Sequence, residues 1–420
     1  MTTQSSSWLS PEMRVALGCG IISTVTAAPV IATTASIFIL PVSQEFHWPR
    51  YEFPLAIMAA AWVGAAAAPV AGRLIDRYGA RTIFLIGITA FAAANILLAF
   101  SSGQRFIAYP LYMLLGASSS FSGTIGLNKV ISAWFHDTRG RALGWSLGAG
   151  IGVGAFVSPL LTQYCIHSFG WRAAYLALGT LVFAVAFPAA LFFIPNTLPK
   201  IVSAVSAGGA GLTTKEAMRT REFWLLLGIT VFNGFAAGGI GGHWLPIQTA
   251  HGATVGLATV LLASLGLIKI ASQVGAGALL DRFQTQRLAV PLLLPILISL
   301  IFFALAKTAG SAALAGILFG LGEGADVCLL PYLASRYFGM KNLGEISGYI
   351  AASAIISGGL GNVGMGAFFE RTGSYDFGLV VACGIFSLAL LVALGLRSYR
   401  FGQGAHSLDE TGTALSQEVG

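Results

Sequence analysis

The sequence predicts an all-α polytopic membrane protein, with twelve transmembrane helices in two pseudo-symmetric six-helix bundles. Three observations predict it. Of 420 residues, 56% are hydrophobic and only 9% are charged, with a mean hydropathy of +0.79. A soluble globule carries charge on roughly a quarter of its residues. Apolar runs of about 20 residues, the length that crosses a bilayer, recur along the whole chain. Finally, Lys and Arg are unevenly shared between the connecting segments. With twelve spans and both termini on one face, sixteen of the 23 basic side chains fall on that face, five on the other, and two, Lys129 and Lys269, within spans. The positive-inside rule makes the richer face cytoplasmic, so a cytoplasmic (inner) membrane location with both termini inside is expected. The net charge of +7 is accounted for by this topology and requires no nucleic acid.

The spans are expected at about 15–41, 52–73, 82–101, 108–134, 141–163, 173–195, 222–249, 257–280, 288–308, 311–337, 343–369 and 375–397. They define a cytoplasmic tail 1–14, an N-terminal bundle 15–195, a linker 196–221, a C-terminal bundle 222–398 and a tail 399–420. The segment up to Met13 is polar, lacks Arg and Lys, and has no small-residue cleavage site, so the first apolar run is expected to remain as a span. In the linker, Thr214 is followed three residues on by Ala217, which is no capping box; Lys215 to Arg221 reads as a short amphipathic surface helix. Cys19, Cys165, Cys328 and Cys383 all lie in apolar runs, so neither a disulfide framework nor a metal site is expected.

Between the second and third spans lies GRLIDRYGAR, Gly72 to Arg81, with four charges in ten residues. Gly72 permits close approach of a helix, Gly79 a sharp turn, and Asp76 can face the positive end of a neighbouring helix. The pattern G-x-L-x-D-R-x-G-x-R closely resembles the signature loop of the major facilitator superfamily of transporters. The resemblance implies that Gly72, Asp76, Arg77, Gly79 and Arg81 form a conformational motif in which Asp76 and Arg77 latch the halves on the cytoplasmic side; a basic turn that only fixes topology is the plainer alternative. A degenerate copy, GALLDRFQTQR, places Asp281 and Arg282 about 205 residues later. SAWF at Ser132 to Phe135 returns as SRYF at Ser335 to Phe338. These offsets argue for an internal duplication and for a site between the two halves.

EFHWPRYEF near Glu45, GWRAAY at Gly170, RTREFW at Arg219 and LGEGADVCLLPYLASRYFG in the tenth span resemble the oxalate/formate and monocarboxylate porter branches. The fifth span lacks the Gly-Pro pattern of drug-proton antiporters; Gly144, Gly148 and Gly152, at four-residue spacing, are expected to pack closely on another helix.

An ionisable side chain at mid-bilayer costs about 2.5 to 3.5 kcal/mol, so one placed there invites a functional explanation. Lys269, central in the eighth span, is the expected carboxylate-binding residue, with Gln273 one turn on as a second donor; the alternative is an ammonium merely neutralised by a neighbouring acid. Glu323 and Asp326 share a face of the tenth span, and Asp326 is expected to pair with Lys269 in the empty cavity, with either acid taking a proton when an anion replaces it. Asn233 and Asn128 are candidate cavity residues, and Lys129 either reaches the cavity or snorkels. His243 is a candidate second proton site or a hydrogen-bonded structural residue, and Trp244 a substrate contact or an interfacial anchor.

No nucleotide loop and no H-E-x-x-H motif is present, so neither an enzyme nor a cofactor is expected. The expected function is secondary active transport, by alternating access, of a small organic anion. A monocarboxylate, with aromatic acids included, entering with a proton and carried by a monomer, is preferred. The eleventh span has no basic residue to match a dicarboxylate. The alternatives are an organic-anion exchanger of the oxalate/formate type and a drug or cation-proton antiporter using Glu323 and Asp326.

Overall fold

The computed structural model describes residues 10–135, 144–195, 211–283, 285–305, 308–339 and 341–399. The first half contains α1 (Pro11–Ser23), α2 (Ala35–Phe46), α3 (Glu52–Tyr78), α4 (Ala80–Ala99), α5 (Arg105–Phe121), α6 (Thr124–Trp134), α7 (Ala149–Phe169) and α8 (Trp171–Phe193). The second contains α9 (Thr214–Met218), α10 (Arg221–Gly242), α11 (Trp244–Ala250), α12 (Val255–Phe283), α13 (Ala289–Leu305), α14 (Ala309–Phe338), α15 (Leu343–Thr372) and α16 (Asp376–Leu394). Among the described residues there is no strand beyond one isolated bridge, Gly211 with Gly339. Two hydrophobic cores form, one drawn from residues 15–194 and the other from 217–396 joined by Ile37.

Among the described residues, eleven stretches are long and apolar enough to cross a bilayer. The expected fourth span falls outside that number because Ser122 and Gly123 divide it into α5 and α6. The first span is interrupted as well, by a π turn at Ala28–Ala32 between α1 and α2. Pro29 has no N–H to give there, and lipid offers no water to replace lost hydrogen bonds. Threonines fill the need: Thr24 donates to the Ile21 carbonyl at 2.7 Å, Thr33 to Pro29 at 2.7 Å and Thr34 to Val30 at 2.6 Å. The seventh span likewise breaks at His243 into α10 and α11.

The helices of each half touch through glycine. A methyl group at Gly116 of α5 would overlap the Ala60 carbonyl of α3, and one at Gly324 of α14 would overlap the Lys269 backbone of α12. In the same way Gly150 and Gly154 of α7 lie against Gly20 and Thr24 beside α1, while Gly238 and Gly361 join α10 to α15. The second span with the fourth, and the first with the fifth, therefore pack by the same device in both halves. Apolar helices in lipid gain little from hydrophobic burial against one another, so close backbone approach supplies the dispersion contact. The expected stripe is corrected here: Gly144 and Gly148 have no neighbour within 4 Å among the described residues, and Gly152 faces Ile270 of the other half. Gly144–Gly148 is a π turn, whose extra residue per turn breaks the four-residue register, and it is Gly150 and Gly154 that face α1.

Most of each expected tail and of the expected linker lies outside the described residues, and α1 begins at Pro11, inside the expected N-terminal tail. What is described of the linker contains α9, capped by a reciprocal box in which the Glu216 N–H donates to Thr213 Oγ1 at 3.4 Å and the Thr213 N–H to Glu216 Oε2 at 2.8 Å. The capping box is thus real but one residue earlier than the Thr214 position considered from sequence. Between halves, Gly359 of α15 rests on Met58 of α3, and Gly266 of α12 lies against Ala155 of α7.

Gly361→Ala is expected to destabilise the protein in detergent by about 1–3 kcal/mol through overpacking. Gly384→Ala, where nothing lies within 4 Å, is expected to change it by less than about 0.5 kcal/mol. Thermal melts of the two variants check this.

Candidate functional site

A cavity of about 470 Å³ opens between the halves, walled by α2, α3, α7, α10, α12, α14 and α15. Nearly half of its wall is Ala and Gly, and its polar side chains are Thr33, Thr230, Asn233, Lys269, Glu323, Asp326 and Asn362. Lys269 is the one basic side chain among the described residues that wall it.

The Lys269 ammonium lies 3.6 Å from Glu323 Oε2 and 5.9 Å from the centroid of the Phe319 ring. Glu323, not Asp326, is therefore its ion-pair partner. The i and i+3 carboxyls share a face of α14, but Gly324 brings α14 against the Lys269 backbone, and the lysine stem runs back toward the start of α12. That direction is toward Phe319 and Glu323 and away from Asp326. Asp326 is held instead from α10, where Asn233 Nδ2 donates to its Oδ2 at 2.9 Å. Four acceptors of residues in this wall are buried with no donor among the described residues: Asn233 Oδ1, Glu323 Oε1, Asp326 Oδ1 and Asn362 Oδ1.

Several expected site residues stand elsewhere. Gln273, Asn128 and Trp244 are absent from the described wall. Gln273 sits beside Cys328, whose Sγ lies 3.5 Å from the Gln273 carbonyl. Trp244 is fully buried within the second half, its indole donating to the Ala258 carbonyl at 3.1 Å and its ring packed on Phe303 and Phe319. The break at His243 turns it inward, so it is neither a cavity contact nor an interfacial anchor. Lys129 Nζ reaches the Gly72 carbonyl at 3.4 Å, at the signature loop and away from the cavity.

His243 is buried, with Nε2 3.0 Å from the Asn362 carbonyl and Nδ1 3.3 Å from the Tyr375 hydroxyl. A carbonyl only accepts, so Nε2 carries the proton and Nδ1 accepts from Tyr375. Tyr375 in turn accepts from Arg50 Nη1 at 3.0 Å. This network joins a cavity residue to one end of the molecule, where the halves are clasped together. There the Arg50 N–H donates to Glu370 Oε1 at 2.7 Å, and its guanidinium stacks 3.8 Å above the Phe369 ring. The rest of EFHWPRYEF braces the same end: Trp171 donates to Glu45 at 2.5 Å, Arg172 also pairs with Glu45, and Arg105 Nη2 donates to Glu52 at 2.9 Å. In the opposite direction a second cavity, of about 460 Å³, continues from the first, sharing Ala32, Ile57, Ala61 and Ile355, and runs along α3 to Ala68 and along α5 to Thr124 at the start of α6. The space is closed at the Arg50 end and extends toward the signature-loop end.

Within that loop, Gly79 takes φ +87°, a conformation that glycine adopts without strain. Arg81 Nε donates to the Ile194 carbonyl at 2.7 Å, tying α4 to the end of α8. Arg77 is exposed beside Tyr78, and Arg282 likewise beside Phe283. Among the described residues nothing lies within 4 Å of where a Gly72 side chain would begin, so on that face no described helix packs as closely as the motif had implied. The side chains of Asp76 and Asp281 lie outside the described residues.

Arg50 and Asn362 were not singled out from the sequence. The available signals were a lone carboxamide within the glycine-rich GGLGNVGMG, and an Arg that heads a polar turn between two spans.

The chain belongs to the major facilitator superfamily, whose family model matches residues 20–362. It is a multi-pass transporter of that superfamily. The fold is similar to the crystal structure of a bacterial homolog to the human lysosomal transporter Spinster in an inward-facing and unoccupied conformation, with TM-score 0.71 at 15% identity over 91% of this chain and 96% of that one. In sequence it is 28% identical over 318 residues to an "Uncharacterized 38 kDa protein in 23S RNA operon" of Thermoproteus tenax, covering 74% of this chain and 77% of that protein. It is 26% identical over 149 residues to monocarboxylate transporter 2 of Homo sapiens, covering 35% of this chain and 30% of that protein.

If the Arg50 clasp holds its end shut, Arg50→Ala should open it. In a cysteine-free background carrying Gly241→Cys, a cavity position with free space around it, labelling by an impermeant maleimide applied from the Arg50 side should accelerate about tenfold. Stopped-flow labelling in oriented vesicles measures it.

Proposed function

We propose that this transporter moves a small organic anion, a monocarboxylate, by alternating access together with a proton, and that Lys269 meets the carboxylate. The observation that carries this is the Lys269–Glu323 pair. At 3.6 Å it is looser than a charge-assisted hydrogen bond, and it stands in the cavity shared by the two halves. A solute carboxylate that takes the ammonium leaves Glu323 as an uncompensated charge in a poorly hydrated site, and a proton taken up by Glu323 removes that charge. Release of the solute returns Glu323 to Lys269 and frees the proton on the same side. Asp326, fixed by Asn233 one turn away, is the second acidic group of the site. The local similarity to monocarboxylate transporters supports the solute class.

The excess of Lys and Arg at the signature-loop end supports placing that end in the cytoplasm of a cell whose cytoplasmic membrane holds the protein. On that orientation the Arg50 clasp is the outer gate, and the cavity extends from it toward the cytoplasmic side. One copy of the chain contains both halves of the cavity, which supports a monomer as the working unit.

Uptake by the full chain in proteoliposomes tests the proposal. Lys269→Gln should lower kcat/KM for monocarboxylates about 100-fold, because a buried charge loses its partner. Glu323→Gln should retain solute counterflow but no longer accumulate solute under an imposed pH gradient. Wild-type accumulation by Lys269→Gln would exclude the carboxylate role. Counterflow in the wild type without any response to the pH gradient would identify an anion exchanger instead.

A further inference from the structure

Three titratable side chains wall the cavity among the described residues: Lys269 on α12, and Glu323 and Asp326 on α14. The other walls bring Thr33, Thr230, Asn233 and Asn362 but no further charged group. Among the helices packed around Asp326, α13 has no charged residue, and those of α10, α12 and α15 other than Lys269 lie in terminal turns. His243, further along α10, is taken up by the Asn362 carbonyl and Tyr375. One ammonium therefore faces two carboxyl groups. If both acids are ionised, the cavity holds an uncompensated negative charge against apolar side chains and glycine backbone, at a depth where an unpaired charge is costly. The excess falls on Asp326, because Glu323 holds the ammonium at 3.6 Å.

The hydrogen bonds point to the same residue. Asn233 Nδ2 donates to Asp326 Oδ2 at 2.9 Å, while the other oxygen of each group, Asp326 Oδ1 and Asn233 Oδ1, is buried with no donor among the described residues. Neither oxygen offers surface to a water or a solute, so a donor has to come from within the pair. A carboxylate brings none, since both of its oxygens only accept; a carboxylic acid brings one. With hydrogen on Oδ1, Asp326 becomes a donor at that atom. Asn233 Oδ1, part of the same planar amide as the nitrogen already bonded, is the unmet acceptor of the pair. Acid and carboxamide then hold each other by two parallel bonds, and both unmet oxygens are accounted for at once.

We propose that Asp326 carries a resident proton, held in a carboxylic acid–carboxamide pair with Asn233 and distinct from the proton that Glu323 takes up with the solute. The pair joins α10 to α14, and Asp326 is a positioning residue: it keeps α14 at the depth from which Glu323 reaches Lys269. Loss of the proton leaves a second carboxylate one turn from Glu323 and strands the Asn233 oxygen, so the tie loosens as the proton departs. The inference rests on the Lys269–Glu323 pair and not on which solute Lys269 receives.

Infrared spectroscopy of the purified full chain, without solute, tests it. At about pH 7, where an ordinary aspartate is ionised, the wild type should show a carboxylic acid C=O stretching band that Asp326→Asn lacks. Asn233→Ala should shift that band to higher frequency by removing the donor to Oδ2. The amide introduced by Asp326→Asn supplies the same donor and acceptor, so this variant should melt with the wild type, whereas Asp326→Leu strands both Asn233 groups and should melt lower. Superimposable spectra of the wild type and Asp326→Asn overturn the resident proton, and a band that Asn233→Ala leaves unmoved overturns the pairing. Should Asp326→Asn fail to fold, isotopic labelling of the aspartate carboxyl carbons in the wild type must displace the band; one that stays belongs to a glutamate and overturns the proposal. None of these outcomes bears on Lys269 as the carboxylate site. Wild-type accumulation by Lys269→Gln, with the aspartate band present, would instead sink the transport reading and leave the resident proton standing.

Discussion

A primary ammonium in the middle of an apolar bundle has to be neutralised or hydrated, and the second half of this protein is arranged around that constraint. Lys269 is paired by Glu323 from α14, and it remains 36% exposed because the pair faces the shared cavity instead of the lipid. The close approach that makes the pair possible comes from Gly324, where α14 lies directly on the Lys269 backbone. Removing either charge leaves the other stranded, which is why a loose pair at this depth persists.

The same need for internal satisfaction shapes the rest of the membrane domain. Helices that break inside lipid must recover their backbone partners, and the first span does so with threonine hydroxyls around Pro29. Such breaks give the walls their irregular lining: α2 contributes Ala35, and the end of α10 contributes Gly241 and Gly242. At His243 the break sends Trp244 into the core and leaves the imidazole between the Asn362 carbonyl and Tyr375. One interruption thus connects the cavity wall to the clasp made by Arg50, Phe369 and Glu370.

Much of this was legible in the sequence. Spans, duplication and the Gly79 turn follow from run length, repeated spacing and the special backbone freedom of glycine, all of which are local properties. Lys269, Glu323, Asp326 and Asn233 were visible as polar residues in apolar runs, and all four wall the cavity. Their pairing was not visible. Glu323 and Asp326 lie on one helix face, and choosing between them requires the direction of a lysine stem that starts on another helix. Trp244 failed for a related reason, because periodicity continues an α-helix through His243 and so points the indole the wrong way. The glycine stripe of the fifth span failed where a π turn shifted the register.

By itself, the sequence determined what the solvent around the chain dictates: how many apolar segments cross, how they repeat, and which few positions bear charge where charge is costly. Tertiary structure alone decided which acid meets the ammonium, which end is clasped, and that Asn362 belongs to the cavity at all. Burial in lipid depends on the composition of each segment taken singly. Pairing depends on the relative rotation and depth of helices far apart in the chain, and those are set by where one backbone can settle against another.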